Sequence, residues 1–192
     1  MVRAMADQSR AADRLVWLVL AVAAAAVIAV AIGRSRSHRA ATPKGAAPVV
    51  SLPLLDGTGR ATIAKGRVTV VDFWATWCAP CRVSMPRVQS VWREYRNRGV
   101  DLFSVDIDDP GAEREAHVKA FLRDNGLEFP VVLDDGSATN AFSISVLPTM
   151  LVLDREARVV WNHVGAMNGA VEHELRAAVD SALSGAVVRG GG

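Results

Sequence analysis

Val71-Asp72-Phe73-Trp74-Ala75-Thr76-Trp77-Cys78-Ala79-Pro80-Cys81 decides how this chain is read. Residues 68–74 are apolar and β-branched, as a buried central strand is. Behind the motif, Val88, Val91, Trp92 and Tyr95 fall at i, i+3, i+4 and i+7, one core-facing stripe of a helix. A strand therefore runs straight into Cys-x-x-Cys, and a helix starts there. Cys78 sits at the helix N-terminus, beside free backbone N–H groups and the positive end of the dipole. Both favour thiolate over thiol, and such sites reach pKa values of about 3.5–7.5. Cys81 lies one turn further in, within reach of a mixed disulfide on Cys78. The chemistry asks for an exposed nucleophile and a buried resolving thiol.

Outward from the motif, strand and helix patterns alternate. Residues 49–54 read as an opening strand, and residues 60–64 pair back on it after the turn residues Asp56, Gly57 and Gly59. Residues 101–107 are the next strand. Residues 112–125 read as a helix closed by Gly126. Residues 131–133 are short and apolar. Residues 150–153 and 158–161 form a hairpin, and residues 171–183 a closing helix with Val171, Leu175, Ala178, Val179 and Leu183 inward. The order predicts an α/β fold, a sheet covered by helices on both faces.

At this point the chain resembles the thioredoxins, and residues 47–185 resemble the TlpA/ResA-like branch. Pro86 lies five residues after Cys81, where such helices carry a kinking proline. Leu147-Pro148-Thr149 before an apolar strand is similar to the family's cis-proline loop. Phe129-Pro130-Val131 with Asp134, and the turn Leu153-Asp154-Arg155, are similar to the branch's pattern, as is the insertion at 106–131. The resemblance implies a thioredoxin-like fold with a central mixed sheet. It implies dithiol–disulfide exchange, with Cys78 as attacking thiolate and Cys81 as resolving thiol, together the redox-active disulfide. Asp72 matches the buried acid that assists proton transfer at the second cysteine. Pro148 matches the cis-proline that packs against the disulfide. Trp77, Ala79, Pro80, Leu147 and Thr149 are implied as substrate contacts. One position departs: many members carry a Glu three residues after the second cysteine, and here it is Ser84.

The chain has 192 residues. Residues 1–14 read as a polar tail, 15–33 as a membrane anchor, 34–46 as a linker and 186–192 as a Gly-rich tail. The apolar run at 15–32 has 18 residues and no polar face. At about 1.5 Å per residue it matches a bilayer core. A cleavable signal peptide is the alternative, with Ala31-Ile32-Gly33 as a small-residue site. Basic residues flank the run equally, so charge leaves the orientation open. The resemblance places the globular part on the extracytoplasmic side, reduced by a membrane electron-donor protein. It would act there on disulfide-containing protein substrates, apocytochrome c among them, with lipid contact through 15–33.

Net charge is +2, yet residues 1–46 carry +5 and the rest −3. A mildly acidic globular part argues against nucleic-acid binding. Both cysteines lie in one motif, which leaves no second pair for zinc. His38, His117, His163 and His173 have no zinc-like spacing, and Asp106, Asp108 and Asp109 read as a solvated loop rather than a calcium site. No metal and no organic cofactor are expected. Two other readings stay open. One is a disulfide-forming oxidant, since direction follows from reduction potential. The other is a non-catalytic binding or copper-delivery module, for which His163 is weak support.

Overall fold

The computed structural model describes residues 47–63 and 65–185. It opens on an antiparallel hairpin, β1 (Val50–Pro53) and β2 (Arg60–Ile63). The Asp56 carboxylate accepts hydrogen bonds from the backbone N–H and hydroxyl of Thr58, and Gly57 takes the left-handed conformation (φ 75°) that the turn needs. Then come β3 (Val68–Trp74), α1 (Ala79–Tyr95), β4 (Val100–Asp106), α2 (Arg114–Asp124) and β5 (Val131–Leu133). The chain closes with α3 (Ser137–Ala141), β6 (Thr149–Leu153), β7 (Val159–Val164) and α4 (Gly169–Ser184).

Five strands form one mixed sheet in the order β5-β4-β3-β6-β7. β4 pairs in parallel with both β3 and β5, while β3–β6 and β6–β7 are antiparallel. β3 takes the centre because its side chains, Thr69 and Asp72 apart, are apolar enough to be buried on both faces. Strand alternation sends Val68, Val70 and Trp74 to one face, with Asp72 between them, and Val71 and Phe73 to the other. On the first face lie Met85 and Val88 of α1, Val118 and Phe121 of α2, and Leu175 and Val179 of α4.

The second face also carries a helix, though a short one. Leu52 and Ile63 of the hairpin cover it, together with Ala138 of the five-residue α3 and Phe142 just after it. The hairpin supplies the apolar side that a long helix would otherwise provide. α3 is absent from the sequence reading altogether. In α4 the buried stripe is Leu175, Ala178, Val179 and Ala182, while Val171 and Leu183 stay half-buried at its margins. Among the described residues no helix is long and apolar enough to cross a membrane. The expected tail at 1–14, anchor at 15–33, linker at 34–46 and tail at 186–192 lie outside them.

Candidate functional site

The site lies where β3 ends and α1 begins. Backbone pairing ends at Trp74, and Cys78 caps the helix with extended dihedral angles, φ −80° and ψ 98°. Pro80 is accommodated in the first turn, where a missing N–H costs no helical bond. Pro86 lies further in and has no N–H to offer the Arg82 carbonyl. Cys78 and Cys81 form a disulfide, with Cα atoms 5.3 Å apart. The Cys81 backbone N–H donates to Cys78 Sγ at 3.2 Å.

Both sulfurs are more enclosed than the motif alone suggests. Cys78 is 4% exposed and Cys81 1%. Cys78 is not displayed on the surface; it lines an open groove of about 490 Å³. Trp77, Ala79 and Pro80 line the same groove, as do Ile107 and the Ile144–Leu147 segment ahead of the cis peptide bond. No lining side chain is charged. Trp77 stands 67% exposed beside the disulfide, and Val146 is exposed as well.

The Leu147–Pro148 peptide bond is cis, and Pro148 is buried. The Gly165 N–H donates to the Pro148 carbonyl at 2.8 Å, which ties the loop to the end of β7. Thr149 does not reach the groove. It is buried at the start of β6, and its hydroxyl donates to the Val146 carbonyl at 2.7 Å. The Thr149 hydroxyl thus braces the loop from within.

Asp72 sits on the α1-facing side of β3, opposite Ser104 of β4 and Met150 of β6. It is 2% exposed, and no described residue hydrogen-bonds its carboxyl. Burial alone raises its pKa to about 7. Its neighbour Trp74 satisfies its own indole N–H on Ser104 Oγ at 2.7 Å.

Several residues that hold this geometry escape a reading of the sequence. Asp108 bonds the backbone N–H and hydroxyl of Thr76, and Arg82 bonds the Thr76 carbonyl. Asp106 is buried against Arg114 at 2.7 Å. Burial pushes its carboxyl up to about 6, with the Arg114 guanidinium opposing the rise. Asp106 and Asp108 of the acidic loop are therefore partnered groups, while Asp109 is exposed. Among the described residues, no group of three or more His, Cys, Asp or Glu could hold a metal ion. Ser84 is buried, donates to the Pro80 carbonyl and accepts the Met167 N–H at 2.8 Å.

Comparison with known proteins agrees with this geometry. The family model described as Redoxin matches residues 43–179. The thiol-disulfide oxidoreductase ResA of Bacillus cereus is 34% identical over 102 residues, 53% of this chain and 57% of that one. The chain thus spans little more than half the length of that relative. ResA of Geobacillus thermodenitrificans is 30% identical over 156 residues, 81% of this chain and 87% of that one. Among solved structures, a thiol:disulfide interchange protein of the thioredoxin family from Chlorobium tepidum TLS superimposes with a TM-score of 0.61 at 26% identity. It covers 74% of this chain and 99% of that one. The fold is thioredoxin-like, with a mixed central sheet.

Proposed function

Because the chain belongs to the Redoxin family, we propose that it is a thiol–disulfide oxidoreductase that reduces protein disulfides through Cys78 and Cys81. The observation that carries this reading is the Cys78–Cys81 disulfide itself, set at the N-terminus of α1 in the wall of an uncharged groove. An extended polypeptide with apolar residues beside its cysteine fits such a groove.

In the reduced protein the Cys78 thiolate is stabilised by the α1 N-terminus and by the Cys81 N–H. It attacks one sulfur of the substrate disulfide, and the other sulfur leaves as a thiolate. Cys81 then gives its proton to Asp72 and attacks Cys78 Sγ. The second substrate thiolate leaves, two electrons have passed to the substrate, and Cys78–Cys81 is oxidised. A carboxyl with its pKa near 7 accepts and releases a proton at neutral pH with little driving force lost.

The reading extends to place. Residues 15–33 anchor the chain in the cell membrane as a single pass, with residues 47–185 on the extracytoplasmic side. The apolar run supports the anchor, and the side is what the resemblance of the Cys78–Cys81 and Leu147-Pro148-Thr149 segments to the TlpA/ResA-like branch implies. A membrane electron-donor protein would return the pair to the dithiol, and a disulfide between the haem-binding cysteines of apocytochrome c would be one substrate, released as the two thiols.

Two measurements test this. Cys81→Ser should trap substrate proteins on Cys78 as mixed disulfides; a chain that traps none is a binding module. The reduction potential gives direction. A value near or below about −250 mV fits a reductant, and one near about −120 mV makes the protein a disulfide-forming oxidant.

A further inference from the structure

Thr76, two residues before Cys78, is held at all its polar groups by two other parts of the chain. Asp108 Oδ1 accepts the Thr76 backbone N–H at 3.0 Å, and Oδ2 accepts its hydroxyl at 2.7 Å. Arg82, the residue after Cys81, donates Nε and Nη2 to the Thr76 carbonyl at 3.1 and 2.7 Å. The Arg82 guanidinium in turn lies 5.3 Å above the Phe121 ring of α2. Asp108 is itself fixed: its N–H donates to Asp106 Oδ1 at 3.4 Å, and the Ile107 N–H donates to the Trp74 carbonyl at 2.9 Å.

This matters for the groove. Beyond Thr76 come Trp77, largely exposed, and Cys78, and both line it. Ile107, next to Asp108, lines it too. A charged acceptor grips the N–H and hydroxyl of Thr76 and a charged donor grips its carbonyl, the stronger class of hydrogen bond. The loop that presents Trp77 and Cys78 is thereby locked to the end of β4.

We propose that Asp108 is a positioning residue for polypeptide binding: by holding Thr76 it fixes the Trp77–Cys78 wall of the groove against the Ile144–Leu147 wall. The inference rests on the exchange activity proposed above. It predicts a loss that falls on long substrates, which need both walls, more than on small disulfides, which need only the sulfur.

The test uses the full-length chain in detergent, with dithiothreitol as reductant. Insulin serves as the polypeptide disulfide and a small aromatic disulfide as the second probe. Asp108→Ala should lower kcat/KM for insulin about tenfold, mostly through KM, because a displaced binding wall is costly without touching the chemistry. The small disulfide should lose far less. Asp108→Asn keeps an oxygen for the Thr76 N–H and should recover most of the loss. If Asp108→Ala does not fold, Thr76→Val removes only the hydroxyl bond and should cost about threefold on insulin. Equal losses on both probes would overturn the proposal, as would Asp108→Asn behaving like Asp108→Ala, or variants equal to wild type. A wild type inactive on both probes would instead overturn the exchange reading beneath it.

Discussion

The backbone N–H of Cys81 points at Cys78 Sγ, 3.2 Å away across the first turn of α1. The contact is built into the helix, because Cys78 occupies the cap position whose side chain meets such an N–H. After reduction the same N–H faces a thiolate, and the bond becomes charge-assisted. Cys78 should therefore ionise well below the ordinary thiol value of about 8.5. In the reduced chain at pH 6.5, one equivalent of iodoacetamide should label Cys78 in large excess over Cys81. Peptide mass spectrometry reads the ratio. Equal labelling, or a midpoint near 8.5 in the rate–pH curve, would count against the assignment.

Asp72 carries a stability penalty whose sign is fixed. Its folded pKa is raised by burial to about 7 from 3.8. Stability from this group is therefore full below pH 4 and is lost as pH rises from about 4 to 7. At about 1.4 kcal/mol per unit the loss approaches about 4 kcal/mol. Asp72→Asn should be more stable than wild type at pH 8 by up to that amount, and similar at pH 4. Urea denaturation at the two pH values measures it. The same variant should slow the resolving step about a hundredfold at pH 7, since a positioned base is gone. Mixed disulfide on Cys78 should then accumulate.

The fold was legible in the sequence where periodicity was strong and local. Residues 68–74 read as a buried strand because every side chain but one is apolar or β-branched, and that exception, Asp72, marked itself by being out of place. α3 was not legible. It has five residues, too short for a periodic pattern, and exists because the Asp134 carboxylate accepts the N–H groups of Ala138 and Thr139. An acidic residue just ahead of a turn was the available signal. The groove wall at Ile144 to Val146 follows from α3 and went unread with it. Asp108 looked like one of three loop acids, because its partner Thr76 is 32 residues away.

Arg114 joins the end of β4 to the segment after β5. Its guanidinium bonds the Asp106 carboxylate, the Asp106 carbonyl and the Asp134 carbonyl. Arg114→Met should leave a buried carboxylate unpaired and cost about 3–5 kcal/mol at pH 8. Asp106 already has its pKa raised to about 6, so its protonation relieves part of the loss on the acid side. The deficit should shrink as pH falls from 8 towards 5. Adding Asp106→Asn should recover much of it. Thermal melts of the single and double variants across that range decide the matter, and a deficit independent of pH would place the cost elsewhere.

Ser84 occupies the position where many TlpA/ResA-like sequences carry Glu, and its surroundings say what that exchange would do. It is 2% exposed, and its hydroxyl joins the Pro80 carbonyl within α1 to the Met167 N–H ahead of α4. A hydroxyl can serve both, because it donates to one and accepts from the other. Ser84→Ala removes the acceptor and strands the Met167 N–H in a buried place, a loss of about 1–3 kcal/mol. Ser84→Glu has a second cost, since a carboxylate there must displace packed neighbours or sit unpaired out of water. It should be less stable than Ser84→Ala at pH 8, and the gap should narrow at pH 5 as the carboxyl takes up a proton. Urea denaturation of both variants at the two pH values tests this. A Ser84→Glu chain as stable as wild type at pH 8 would mean that the α1–α4 contact opens readily enough to admit the family's usual acid.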